Sequence, residues 1–144
     1  LFAGIFVCMG PVLAMLKAGS SGAFAPLVAL VSNSDGTLNN SAFFWLSGAL
    51  SSFLDNTPTY LAFFNLAGGD PTVLMGADAV TLLAISLGSV FMGANTYIGN
   101  APNFMVLSIA QSRGVKMPSF FGYMAWSVGI LIPTFLLIDW LYLM

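Results

Sequence analysis

Long apolar runs broken by short polar clusters organise this chain. Residues 2–16, FAGIFVCMGPVLAML, run apolar up to Lys17 and predict a helix. A run of that length rises about 22 Å, short of the roughly 30 Å hydrocarbon core of a bilayer. The helix is therefore expected to begin upstream, in a longer polytopic parent. Pro11 within it predicts a kink, because proline cannot donate to the preceding turn. Residues 18–40 mix small, polar and apolar positions around Pro26, Asp35, Gly36, Asn39 and Asn40. They predict a short interfacial helix around 23–31 and then a solvent loop.

Residues 41–67, SAFFWLSGALSSFLDNTPTYLAFFNLA, are apolar at both ends and polar in the middle, where Asp55, Asn56, Thr57 and Thr59 surround Pro58. A continuous membrane helix would bury a carboxylate and a proline near mid-depth, which is costly unless the backbone opens around a polar site. The pattern predicts two half-helices instead, 41–53 and 58–67, joined at a tip over 54–58 as a re-entrant hairpin. Thr57 is the expected N-cap and Pro58 the first helical residue, where its missing N–H costs nothing. Gly68, Gly69, Asp70 and Pro71 read as a turn. A second interrupted segment covers 79–112. It has an apolar half-helix at 79–93, an unwound stretch from Ala94 to Asn100, and a second half-helix opened by Pro102 and capped by Asn100. After a loop at 111–118, residues 119–143 are long enough to span. Pro133 kinks them, and Tyr123, Trp126, Trp140 and Tyr142 lie toward the ends, where interfacial aromatics sit.

Composition decides the class. Charged residues make up 6% and hydrophobic ones 58%, with mean hydropathy +0.94. A soluble domain carries roughly 25% charged residues, so this chain lacks the charges for a water-facing surface. The fold class expected is an all-α polytopic membrane protein whose partner is the lipid bilayer. With no His and no Glu, His-based acid–base catalysis and catalytic triads are excluded. No other catalytic constellation is visible, so no enzyme is expected. The single Cys8 forms no internal disulfide and reads as a small apolar helix residue. A net charge of −2 without a basic run excludes nucleic acid as a partner.

The two breaks share their chemistry. Asn-Thr stands at 56–57 and again at 95–96, and Asn-x-Pro-x at 56–59 and 100–103. Half-helix N-termini offer free N–H donors and partial positive charge, which suit an anion. Unwound carbonyls with Asn and Thr oxygens suit a hard cation such as Na⁺. Asn56, Thr57, Asn95 and Thr96 are thus the candidate Na⁺ ligands, and Asp55, Thr59, Asn100 and Asn103 complete the expected ion and substrate site. Asp55 is the residue singled out as proton carrier, exchanging a proton for a cation at membrane depth. Its competing roles are to cap a helix or to pair with a cation elsewhere in the protein. Asp35, Asp70 and Asp78 fall in loops, and Asp139, near the end of a span, is expected to reach the interface. Ser20, Ser21, Ser51 and Ser52 are expected to pack helices. A hairpin returns to its own side, so Lys17, Asp35, Asp70 and Asp78 share one face. Arg113 and Lys116 then lie on the other, which the excess of positive charge makes cytoplasmic.

The stretches Leu54-Asp55-Asn56-Thr57-Pro58-Thr59-Tyr60 and Gly93-Ala94-Asn95-Thr96-Tyr97-Ile98-Gly99-Asn100-Ala101-Pro102-Asn103-Phe104 resemble signatures of the ion transporter superfamily. The similarity is to its citrate-transporter-like branch of sodium:proton antiporters (NhaD/ArsB-like), and Met117-Pro118-Ser119-Phe120-Phe121-Gly122-Tyr123 is similar as well. The resemblance implies two inverted repeats, each with a hairpin and a broken helix, of which this chain is the C-terminal one. It also implies the N-terminal half of the same protein as a partner, a homodimer, elevator-like movement, and residence in the bacterial inner membrane. The superfamily's carboxylate carriers have Ser-Asn-Thr at the motif. Here Asp55 and Ala94 precede the two Asn-Thr pairs, which favours cation/proton exchange over carboxylate carriage.

The expected function is therefore secondary active transport by Na⁺/H⁺ antiport, with no cofactor beyond the transported or coupling Na⁺ and H⁺. A Na⁺-coupled symporter of citrate or dicarboxylate type is the alternative within transport. Half-helices meeting at mid-depth also build passive channels, and polar breaks that merely pack helices would mark a structural subunit.

Overall fold

The computed structural model describes residues 2–18, 21–33 and 35–144. Ser20, expected to pack helices, lies outside them. Among the described residues the fold is helical, with no strand beyond an isolated bridge between Ser32 and Leu38. The helices are α1 (Phe2–Lys17), α2 (Ala25–Val31), α3 (Asn40–Ser51), α4 (Asn56–Leu66), α5 (Pro71–Leu74), α6 (Ala79–Phe91), α7 (Ala101–Ser112) and α8 (Phe120–Tyr142). A 3₁₀ turn over Met92–Asn95 prolongs α6, and extended backbone at Thr96 and Asn100 separates it from α7.

α3 and α4 form an antiparallel pair. Phe43 meets Phe63 edge-on at 6.2 Å near the open end, and Ser51 meets Asn56 beside the turn. At 12 and 11 residues the two helices are about 18 Å and 16 Å long. α6 runs parallel to α3 along its whole length. The Thr81 hydroxyl donates to Asn40 Oδ1 at one end (2.6 Å), and Ser51 and Ser52 reach the carbonyls of Ser89 and Met92 at the other. Small residues make this approach possible. A methyl at Gly88 would overlap the Phe44 carbonyl and the Ser47 hydroxyl, and one at Gly48 the Met92 thioether. Apolar helices in lipid gain nothing from burying apolar surface, so close backbone contact of this kind is what holds them together.

α8 runs antiparallel to both. Ser127 and Tyr123 lie against the 3₁₀ turn, Phe135 against Phe44 (6.3 Å, edge-on), and Asp139 against Ser41 and Trp45. At 23 residues, with a mean hydropathy of 1.8 over an 18-residue stretch, it is the one helix among the described residues long and apolar enough to cross a membrane. Its length of about 34 Å exceeds the hydrocarbon core. Most of its large side chains are exposed, Phe121 and Trp126 among them, as on a lipid-facing surface. The buried core is aromatic and aliphatic: Val31, Phe43, Phe44, Phe63, Ala84, Ile85, Met92, Phe135 and Leu143.

Asp139 departs from expectation. Its carboxylate is buried in the protein (4% exposed) rather than free, with Ser41 Oγ donating to Oδ1 (2.7 Å) and Trp45 Nε1 to Oδ2 (2.8 Å). Position near a helix end suggested a snorkelling carboxylate. The adjacent α3 supplies two neutral donors that hold it inside instead.

Candidate functional site

The turn between α3 and α4 abuts the interruption between α6 and α7. Asp55 is the N-cap of α4, its carboxylate accepting from the Thr57 amide at 3.2 Å. The cap thus sits two residues earlier than expected at Thr57, and Pro58 is the third helical residue, still within the first turn where its missing N–H costs nothing. An aspartate caps as well as a threonine or better and also complements the helix dipole. Asp55 and Thr57 are both exposed, while Thr59 is buried and donates to the Asp55 carbonyl at 3.0 Å. The structure therefore separates the expected proton carrier from the amide cluster: the Asp55 carboxylate turns back on its own helix.

The other candidates converge. Asn56 Oδ1 lies 2.9 Å from the Ser51 hydroxyl, which also faces the Ser89 carbonyl, and sits over Gly93, where a methyl group would meet it at 2.5 Å and Asn100 Nδ2 at 3.4 Å. Asn95 Nδ2 donates to Ser52 Oγ at 3.0 Å, and the Thr96 hydroxyl donates to the Ser52 carbonyl. Asn100 caps α7 through the Asn103 amide (3.0 Å), in a first turn that holds Pro102 and no acid. Asn103 in turn reaches back with Nδ2 to the carbonyls of Gly93 (2.9 Å) and Thr96 (3.0 Å).

Four consecutive carbonyls of the interruption, residues 93 to 96, each have a side-chain donor: Asn103 for Gly93, Tyr123 for Ala94 (2.9 Å), Ser127 for Asn95 (2.7 Å) and Asn103 again for Thr96. The Ser52 hydroxyl lies between the carbonyls of Gly48 (2.9 Å) and Met92 (3.0 Å), with one proton for the two. Backbone that leaves the helical ladder inside a membrane must be satisfied by its neighbours, and here side chains from α7 and α8 do so. Of the unwound carbonyls expected as cation ligands, those of Ala94, Asn95 and Thr96 thus already hold one hydrogen bond each. Among the described residues, the buried side-chain atoms with no hydrogen-bond partner are Asn95 Oδ1 and the Ser89 hydroxyl. A buried amide oxygen without a partner costs about 1–3 kcal/mol, so it marks a place where a positive group fits. Among the described residues no group of three or more His, Cys, Asp or Glu forms a metal cluster. A cation here would be held by neutral oxygens.

Ser51 and Ser52, expected only to pack helices, form the seam between the turn and the interruption. Tyr123 and Ser127 on α8 drew no functional expectation from the sequence. The signal available for Ser127 was a hydroxyl in a largely apolar helix, four residues after a tyrosine.

Neither a comparison with curated proteins nor one with solved structures gives a match. A sequence profile does match, over residues 1–143, that of the family described as "Putative citrate transport". With its apolar composition, an α8 long and apolar enough to span and that match, the chain is an integral membrane protein and belongs to this citrate-transporter-like family.

Proposed function

We propose that the chain is the ion-binding part of a secondary active transporter that couples a citrate-type carboxylate to Na⁺, with Na⁺ held at Asn95 and its surroundings. The observation that carries this reading is the buried, donorless Asn95 Oδ1 in a cluster of neutral oxygens. Hard monovalent cations are bound by such oxygens at unwound helices. Asn56, Thr96 and second lone pairs of the 93–96 carbonyls supply further ligands. The N-terminus of α7 suits the anion, because its first turn carries no acid. That of α4 is already occupied by Asp55. α3 and α4, each shorter than the hydrocarbon core, act as a re-entrant hairpin, and α6 and α7 as the two halves of one crossing, in the inner membrane of a bacterium.

A second reading, Na⁺/H⁺ exchange, is favoured by one observation: the Asp55 carboxylate is exposed at the turn with a single backbone partner.

Both are tested on the full-length protein in vesicles carrying an internal pH dye, with a Na⁺ gradient and labelled citrate. Na⁺-dependent, saturable citrate uptake that is lost in Asn95→Ala supports the symport reading. A Na⁺-driven pH change without citrate uptake, abolished in Asp55→Asn, establishes exchange instead. Asparagine caps a helix as well as aspartate, so that variant removes the charge and keeps the turn. Flux that neither saturates nor depends on Na⁺ means a channel and defeats both.

A further inference from the structure

We propose that Tyr123 and Ser127 of α8 are positioning residues for the bound cation: by holding the Ala94 and Asn95 carbonyls, they fix the direction in which Asn95 Oδ1 points. The inference rests on the cation reading above and names the element that sets the affinity and selectivity of that site.

The two residues are four apart and so share one face of α8. The Tyr123 hydroxyl donates to the Ala94 carbonyl at 2.9 Å. The Ser127 hydroxyl lies 2.7 Å from the Asn95 carbonyl and 3.0 Å from the Met124 carbonyl of its own helix, so the partner across the interface is the nearer. Asn95 is thereby held at both ends. Ser52 of the hairpin turn takes its side-chain Nδ2, and Ser127 of α8 takes its backbone oxygen. Two anchors from two different elements leave the peptide plane and the amide little freedom, and the remaining oxygen is presented in one direction.

The need for such anchors follows from the local backbone. Asn95 ends a 3₁₀ turn, and Thr96 is extended, at φ −132° and ψ 163°. No following helical turn holds the Asn95 carbonyl, so without Ser127 its peptide plane is free to rotate. Tyr123 also stacks on Tyr97, with ring centroids 4.2 Å apart, and the Tyr97 hydroxyl donates to the Pro118 carbonyl at 3.2 Å. The aromatic pair therefore ties the interruption to the start of α8. Burying a hydroxyl in a helix this apolar costs free energy unless it is used. Ser127 and Asp139 are the buried polar residues of α8, and each is bonded to a different part of the neighbouring structure.

The test uses the full-length protein in vesicles, with Na⁺-dependent transport read over a Na⁺ titration and again with Li⁺. Ser127→Ala is expected to raise the Na⁺ half-saturation concentration about tenfold, the effect of one net hydrogen bond. The maximal rate should hold while the Na⁺/Li⁺ ratio moves, because selectivity among small cations depends on the rigidity of the cage. Ser127→Thr, which keeps the hydroxyl, should restore both. If Ser127→Ala fails to fold, as judged by melting in choline chloride, Tyr123→Phe is read in its place, with the same direction expected. A folded variant with unchanged half-saturation and unchanged ion ratio overturns the inference, and so does a loss of maximal rate alone. A wild type with no response to Na⁺ overturns the cation reading and this inference with it. A Na⁺-responsive wild type with unaltered variants overturns the inference only.

Discussion

Gly99 leaves no room for a methyl group. It lies buried where the interruption meets the hairpin turn. A Cβ there would overlap the Gly93 carbonyl oxygen and lie 3.0 Å from both the Gly93 carbonyl carbon and the Ser51 carbonyl oxygen. All of these are backbone atoms, so no side chain can rotate away. Ordinary C···O contacts are about 3.3–3.6 Å. The Ser51 carbonyl would therefore have to retreat by a few tenths of an ångström and the Gly93 carbonyl by more. Gly93 O already accepts from Asn103, and the Ser51 hydroxyl is held by the Ser89 carbonyl. Moving either loosens the cluster around Asn95. Overpacking costs about 1–3 kcal/mol, and contact with backbone on two sides puts Gly99→Ala near 3 kcal/mol, roughly a 150-fold change in the folded ratio. At about 4 °C per kcal/mol for a chain of about this size, the melting temperature of the detergent-solubilised protein should fall by about 12 °C. Na⁺-dependent transport should fall with it. Gly129 of α8 has nothing within 4 Å of an added Cβ, so Gly129→Ala should melt at or above the wild-type temperature, alanine being the better helix former. Equal melting and transport for Gly99→Ala and wild type would refute direct backbone contact between the turn and the interruption.

Trp45→Phe removes one of the two donors to the buried Asp139 carboxylate and should lower stability by about 2 kcal/mol; in a double-mutant cycle it should couple non-additively with Ser41→Ala, and strictly additive melting shifts would argue against a shared carboxylate. The exposed loop before α3 should respond to acid. The Thr37 hydroxyl and amide hold the Asp35 carboxyl below its ordinary value. A depressed folded-state value means that the turn's stabilisation is complete above the ordinary carboxylate range near pH 4. It is lost as pH falls through the lower, folded value. The amide resonance of Thr37 should report a titration below pH 4, and a midpoint at or above it would contradict the turn.

Much of the local punctuation was readable because it is written in residues with narrow backbone habits. Pro58 and Pro102 lie in the first turns of α4 and α7, and Asn100 caps α7 through its own side chain. Each depends on neighbours within three positions. The exact cap of α4 was harder to read, because Asp55, Asn56 and Thr57 are all competent N-caps in sequence. Only the turn geometry selects Asp55, and that selection draws its carboxylate away from the amide cluster.

Composition and apolar run lengths by themselves determined that this protein is helical and lives in lipid, since both follow from how few charges the chain carries and how far a helix rises. They also showed where the helices had to stop. Which side chains then meet was decided only by tertiary structure. Ser52 and Asn95 are 43 residues apart, Ser127 and Asn95 are 32 apart, and Asp139 finds Ser41 across 98. No local propensity encodes those pairs. They arise because α3, α6 and α8 pack through glycines and serines closely enough that backbone carbonyls released by one helix are satisfied by hydroxyls of the next.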